Sequence, residues 1–233
     1  MNTTIKLLCA WSGPALAIAV LGGLLLANVL PFPPAAFMSP DEIARFYTQS
    51  TTRTLTGFAL TSFCMGFAFP LTGLIAVYLV RMEGRTPILT FTQLSCGAAT
   101  GVLLTTPMIL MAVCAFRPDR SPELIQLLND AAYLLLFTPI APFCIQNTAI
   151  AMAIFNDRNP QPVLPRWVAF ANLWLVFLFL PGLLPFFFHE GPFAWHGVFV
   201  FWLGLASFGG WATMMGLVLR QAVLHDAAAA AGT

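Results

Sequence analysis

The chain has 233 residues, 59% of them hydrophobic and only 8% charged, with a net charge of +1. That balance excludes a nucleic-acid-binding surface, which needs a basic excess. At this length and a mean hydropathy of +0.84 it reads as a single membrane domain over residues 1–233, with no room for a second, soluble one.

The charges fall in short clusters between apolar stretches. A spanning helix needs about 20 apolar residues, and six segments meet that need. The first runs from Cys9 to Leu30, behind Lys6. Its apolar run is longer than a signal-peptide core and no small-residue cleavage site follows, so it reads as a retained helix. Next comes Ser39-Pro40-Asp41-Glu42. Ser caps a helix, Pro fits its first position, and the carboxylates face the positive end of its dipole. Ile43, Phe46 and Tyr47 follow at i, i+3 and i+4, which predicts a short amphipathic helix on the outer surface within Ser39–Thr52.

The second span runs from Thr54 to Val80 and contains Pro70. The third, Ile88 to Ala115, contains Pro107 and a Gly97-x-x-x-Gly101 pair suited to close helix contact. The fourth, Asp130 to Phe155, holds the densest polar content: Asp130, Tyr133, Gln146 and Asn147, with Pro139 and Pro142 between them. The fifth, Trp167 to Phe188, is apolar all round, rich in aromatics, and carries Pro181 and Pro185. The sixth, Trp195 to Leu219, has a small-residue stripe through Ala206, Gly209, Gly210, Ala212 and Gly216. An alanine-rich end, Ala227 to Thr233, is expected to fray.

An internal repeat organises these spans. Trp11-Ser-Gly-Pro leads to Phe32-Pro and then Ser39-Pro-Asp-Glu-Ile43. Cys96-Gly-Ala-Ala leads to Phe116-Arg-Pro and then Ser121-Pro-Glu-Leu-Ile125, 82 residues later. The turns Arg81–Pro87 and Asn156–Pro160 both close on proline, and His189-Glu-Gly-Pro192 is a shorter connection between the last two spans. The expected fold is therefore all-α: a polytopic bundle of six transmembrane helices in three tandem hairpins, with a short amphipathic outer helix between the first two spans.

With the N-terminus inside, Lys6, Arg81, Arg85, Arg158, Arg166 and Arg220 fall inside, and Arg45, Arg53, Arg117 and Arg120 fall outside. Basic loops stay cytoplasmic, which places both termini in the cytoplasm and the protein in the cell (inner or plasma) membrane.

Six span prolines, Pro70, Pro107, Pro139, Pro142, Pro181 and Pro185, each remove a helical hydrogen bond. Ordinary membrane-helix prolines account for them, and so does a cavity opened by kinked helices. On the second reading a pocket lies between the second, fourth and fifth spans and opens outward. Asp130, Tyr133, Gln146 and Asn147 then supply its polar contacts. Against that, Asp130 sits near the outer interface, where solvent or Arg117 and Arg120 can satisfy it, and adjacent Gln146 and Asn147 cannot both face one pocket easily.

His189, Glu190 and His196 are weak metal candidates: their spacing matches no one-face helical ligand pair, and no third ligand is close in sequence. Interfacial residues in headgroup water are the simpler reading. The five cysteines show no Cys-x-x-Cys and read as small hydrophobes. No nucleophile elbow, phosphate loop or dinucleotide fingerprint is present, and no cofactor is named by these residues. The residues therefore point to a non-enzymatic protein that binds, or facilitates movement of, a hydrophobic small molecule. Two alternatives stand beside it: an accessory or assembly subunit of a larger membrane complex, and an enzyme acting on lipid at the outer interface. The partners expected are the bilayer, a hydrophobic ligand, and a second copy or partner membrane subunit.

Overall fold

Hydrocarbon offers a backbone no hydrogen-bond partner, so an apolar run of this length crosses it as a helix. The computed structural model describes residues 2–231, and among these every regular element is helical. Six helices are long and apolar enough to span a membrane: Thr3–Leu26, Thr51–Glu83, Ile88–Phe116, Pro122–Phe155, Arg166–Phe186 and Val198–Ala231. This is the make-up of a multi-pass membrane protein.

The first span is α1 (Thr3–Leu26). It stops four residues before the sequence-based limit of Leu30. Asn28 adopts a left-handed φ of 61°, Pro31 follows, and the amide of Val29 turns back to the carbonyl of Leu24 at 3.0 Å. Helix α2 (Pro40–Thr48) begins after Ser39, whose amide and hydroxyl both donate to the Glu42 carboxylate at 2.8 Å. The Ser39 amide lowers the Glu42 pKa first, with the hydroxyl second. Ile43 and Tyr47 form the buried side of α2.

The second span is α3 (Thr51–Cys64) and α4 (Ala68–Glu83), separated by a 3₁₀ turn at Met65–Phe67. Pro70 explains the turn, because it has no amide to give the carbonyl of Gly66. Gly84, at φ 72°, ends α4. Helix α5 (Ile88–Phe116) passes Pro107 without breaking. Its exposed first amides are satisfied by Glu83, which accepts from Leu89 N at 2.8 Å and Thr90 N at 2.6 Å. Helix α6 (Pro122–Phe137) runs directly into the fourth span, which breaks at residues 138–140 and resumes as α7 (Ala141–Phe155). The fifth span is α8 (Arg166–Phe179), tightening to 3₁₀ over Leu180–Phe186 at Pro181 and Pro185. The sixth opens with a π-helical turn, Val198–Trp202, and continues as α9 (Leu203–Ala231). The sixth span therefore starts after Trp195. The alanine end is helical through Ala231, and residues 232 and 233 lie outside the described residues.

Neighbours follow chain order around the bundle and the ring closes between α1 and α9, with α4 touching α1, α5, α7 and α9 from within. The closure depends on missing side chains. A Cβ on Gly13 would collide with the carbonyl of Ala212, and one on Gly216 would reach within 2.7 Å of the Pro14 ring. The Gly97-x-x-x-Gly101 pair also serves this chain: Gly97 lies against Thr72 and Gln146, and Gly101 against Phe69. Among the described residues one salt bridge ties the ends of α4 and α9 together, Arg81 to Asp226 at 2.6 Å, where Tyr78 also donates at 3.1 Å.

Helices α2 and α6 pack together through positions 82 residues apart. Tyr47 OH donates to Asn129 Oδ1 at 2.8 Å, and Ile43 and Ile125, one turn earlier on each helix, are both buried.

Three stability predictions rest on this packing, all read by thermal unfolding in detergent. Gly13→Leu should destabilise by about 1–3 kcal/mol because a backbone carbonyl cannot move aside. Gly22→Ala, with nothing within 4 Å of its added methyl, should be neutral or stabilising. Tyr47→Phe strands the Asn129 carbonyl and should cost about 1–3 kcal/mol, and adding Asn129→Leu should recover part of that loss.

Candidate functional site

The helix breaks of the second, fourth, fifth and sixth spans meet around one cavity of ≈ 100 Å³. Met65 comes from the break in the second span, Pro139 and Ile140 from the fourth, Gly182 from the fifth, and Val200 and Phe201 from the π turn of the sixth. Gly182 brings the fifth span so close that an added Cβ would sit 2.7 Å from the Phe137 carbonyl. Phe137, Phe143 and Phe208 form aromatic walls, and α1 and α5 complete the enclosure with residues such as Leu24 and Leu104.

Among the described residues, no charged side chain lines this space, and the only polar side chains on its walls are Thr61 and Thr100. Both hydroxyls donate within their own helices, to Gly57 O at 2.8 Å and Cys96 O at 2.9 Å. The walls therefore offer a guest no free side-chain donor. Val20, Leu205 and Phe208 also border a groove of ≈ 700 Å³ between α1 and α9, which runs along the outer face past Ala17, Gly209 and Gly210. Leu135 and Phe199 on the cavity rim are themselves exposed.

The four polar residues singled out in the sequence are not among these walls, and the fold does not bring them together. Tyr133 is fully buried in α6, stacked on Trp195 at 5.5 Å and near Phe137 at 6.4 Å, and its hydroxyl has no partner among the described residues. Asp130 is half-buried one turn earlier and accepts from Asn129 Nδ2 at 3.4 Å. Gln146 and Asn147 belong to α7 and are both buried. Asn147 Nδ2 bonds its own helix at Phe143 O (2.7 Å), while Asn147 Oδ1 and Gln146 Nε2 are unpartnered. Gln146 lies beside Gly97 and Thr72, and Gln93 Nε2 reaches Thr72 O at 3.4 Å, so the amides of α5 and α7 meet on α4. Asn172 joins α8 to α9 by accepting from Trp211 Nε1 at 3.2 Å.

His189 and Glu190 are exposed, and His196 is committed elsewhere. Its Nδ1 accepts from the Ala36 amide at 3.2 Å, next to Trp195, whose indole donates to Pro34 O at 2.9 Å. These two bonds pin the α1–α2 loop to the start of the sixth span. Among the described residues no three His, Cys, Asp or Glu side chains come close enough to hold a metal ion.

Sequence reading located the prolines but missed the sixth span as a wall. A usable signal was Gly204, which leaves space beside the Phe137 ring at 3.8 Å. The aromatic walls carried none, because a dry cavity and a lipid-facing surface use the same residue types.

Burial lowers the His196 pKa from its ordinary 6.5. The unfolded chain therefore takes up a proton first as pH falls. The stabilisation from the Ala36 bond is full above about 6.5 and is lost as pH falls through the lower folded value. Hydrogen exchange at the Ala36 amide, corrected for intrinsic rate, should speed up over that window, and His196→Phe should remove the pH dependence.

No known protein family, curated protein or solved structure matches this chain.

Proposed function

We propose that this protein binds a hydrophobic small molecule dissolved in the bilayer and facilitates its movement, without chemistry, through the cavity where the helix breaks meet. The observation that carries this reading is an apolar cavity whose wall hydroxyls are already spent, separated only by Val20, Leu205 and Phe208 from an apolar groove between α1 and α9. An apolar pocket in a protein interior stays dry and accepts apolar guests. The absence of charge from its walls argues against an ion-coupled pump.

Entrance is lateral in this proposal, from the groove past Leu205 and Phe208. Tyr133 keeps a supporting role behind the Phe137 wall. Asp130 belongs to the α2 end of the bundle, and Gln146 and Asn147 to the contact with α4 and α5. The tandem arrangement of hairpins is part of the same reading, supported by the shared Ser-Pro-acidic starts of α2 and α6 and by their meeting 82 residues apart. Loop charge supports cytoplasmic termini in a cell membrane.

The subunit reading has its own support. Gly210 of α9 is exposed, and a Cβ there would meet nothing within 4 Å, so part of the small-residue stripe faces away from this chain. A lipid enzyme at the outer interface draws no such support, because His196 is committed to Ala36.

A diazirine-bearing long-chain hydrocarbon, photolysed with the protein in lipid nanodiscs, tests the proposal. Adducts should fall on Phe137, Phe201 or Phe208, and unlabelled hydrocarbon should compete. Gly204→Leu fills the space beside Phe137 and should weaken labelling at least about fourfold, the equivalent of one lost buried methylene. Labelling confined to the exposed aromatics of α8 and unchanged by Gly204→Leu would sink the proposal. Because Gly210 also borders the groove, the subunit reading is separated by mass instead: it predicts an assembly larger than one chain in the nanodisc, whereas a single chain that still labels in the cavity would sink it.

A further inference from the structure

The fourth-span break leaves backbone carbonyls without donors beside the cavity. Pro139 has no amide, so Leu135 O loses the partner a continuous helix would give it. The amide of Ile140, due to Leu136 O, goes instead to Thr138 O at 2.8 Å. Thr138 compounds the shortage: its amide (2.9 Å) and its hydroxyl (2.8 Å) both go to Leu134 O. Among the described residues, Leu135 and Leu136 thus end α6 with unpaired carbonyls, and both residues line the cavity.

These acceptors have no counterpart on the walls. Thr61 and Thr100 donate within their own helices, and among the described residues no Arg, Lys or His borders the space. The negative end of the α6 dipole points the same way as the two carbonyls. In hydrocarbon no water is at hand to satisfy them. What the site lacks is a hydrogen-bond donor that brings no negative charge.

We infer that the cavity takes a neutral amphiphile with one hydroxyl group on an apolar skeleton, a long-chain or ring alcohol, whose O–H donates to the carbonyl of Leu135 or Leu136. This rests on the cavity-binding function proposed above and narrows its ligand class. Carboxylates and phosphates are disfavoured, because they present lone pairs to lone pairs with no cation nearby. Size divides the molecule. A space of ≈ 100 Å³ is smaller than the roughly 150 Å³ cavity that accepts benzene. It holds the hydroxyl and the first few carbons, while the rest of the skeleton lies in the ≈ 700 Å³ groove between α1 and α9.

Competition against the photo-reactive hydrocarbon in nanodiscs tests this with four probes of equal chain length: hexadecanol, its methyl ether, hexadecane and palmitate. Hexadecanol should compete about tenfold better than the methyl ether or hexadecane, the size of one net hydrogen bond, and palmitate should not exceed hexadecane. Pro139→Ala supplies an amide to Leu135 O. It should erase most of the alcohol's advantage while hexadecane still competes. Equal competition by alcohol and ether, or stronger competition by palmitate, would overturn the hydroxyl assignment and leave the cavity function standing. Failure of hexadecane and hexadecanol alike would overturn both. The wild-type comparison of alcohol with ether decides the matter even if Pro139→Ala does not fold.

Discussion

Everything in this molecule depends on one constraint: hydrocarbon cannot hydrogen-bond a backbone. It makes the spans helical, and it makes each interruption of a span unfavourable unless other protein surrounds it. Pro70, Pro139 and Pro181 lie at such interruptions. The chain tolerates them by gathering the breaks in one place, where Gly182 closes on the Phe137 carbonyl and the π turn of the sixth span packs opposite. The cavity is the space left where four irregular segments meet and cannot pack as regular helices do.

The rest of the bundle is arranged to hold that meeting point. Small residues let α1 and α9 approach until Gly13 touches the Ala212 carbonyl, which closes the ring around α4. Polar side chains at depth are mostly spent locally: Thr61, Thr72, Thr100, Thr138 and Thr148 each donate to the carbonyl four residues back. Charge is kept for helix ends, where Glu83 caps α5, Glu42 caps α2, and Arg81 meets Asp226. With hydroxyls and charges committed in this way, the walls of the cavity are left apolar.

Much of the fold was legible in the chain. The span count follows from charge-free stretches of sufficient length, and the start of α2 follows from Ser-Pro-acidic chemistry within one helical turn; α6 also opens on proline with Glu123 in its first turn, but the Ser121 side chain makes no capping bond there. The end of α1 was less legible, because a left-handed Asn28 depends on the packing of the loop after it. The site was half legible. Prolines marked the breaks, but Asp130, Tyr133, Gln146 and Asn147 drew attention by polarity, and the structure spends Asn147 partly on its own helix and Gln146 against Gly97. His196, which read as an interfacial residue, instead holds the α1–α2 loop across 160 positions of sequence.

Sequence by itself determined the membrane-spanning character, the six helices, the cap of α2 and the prolines at which the second, fourth and fifth spans break. Each of these is decided by composition or by chemistry among residues a turn or two apart. Tertiary structure alone decided that the breaks face one another, that the sixth span supplies a wall, and that Leu135 and Leu136 border an apolar-walled cavity. The reason is physical: in a bundle whose core and lipid-facing surface are built from the same apolar residues, no local pattern records which side faces inward. That information resides in the contacts between helices far apart in the chain.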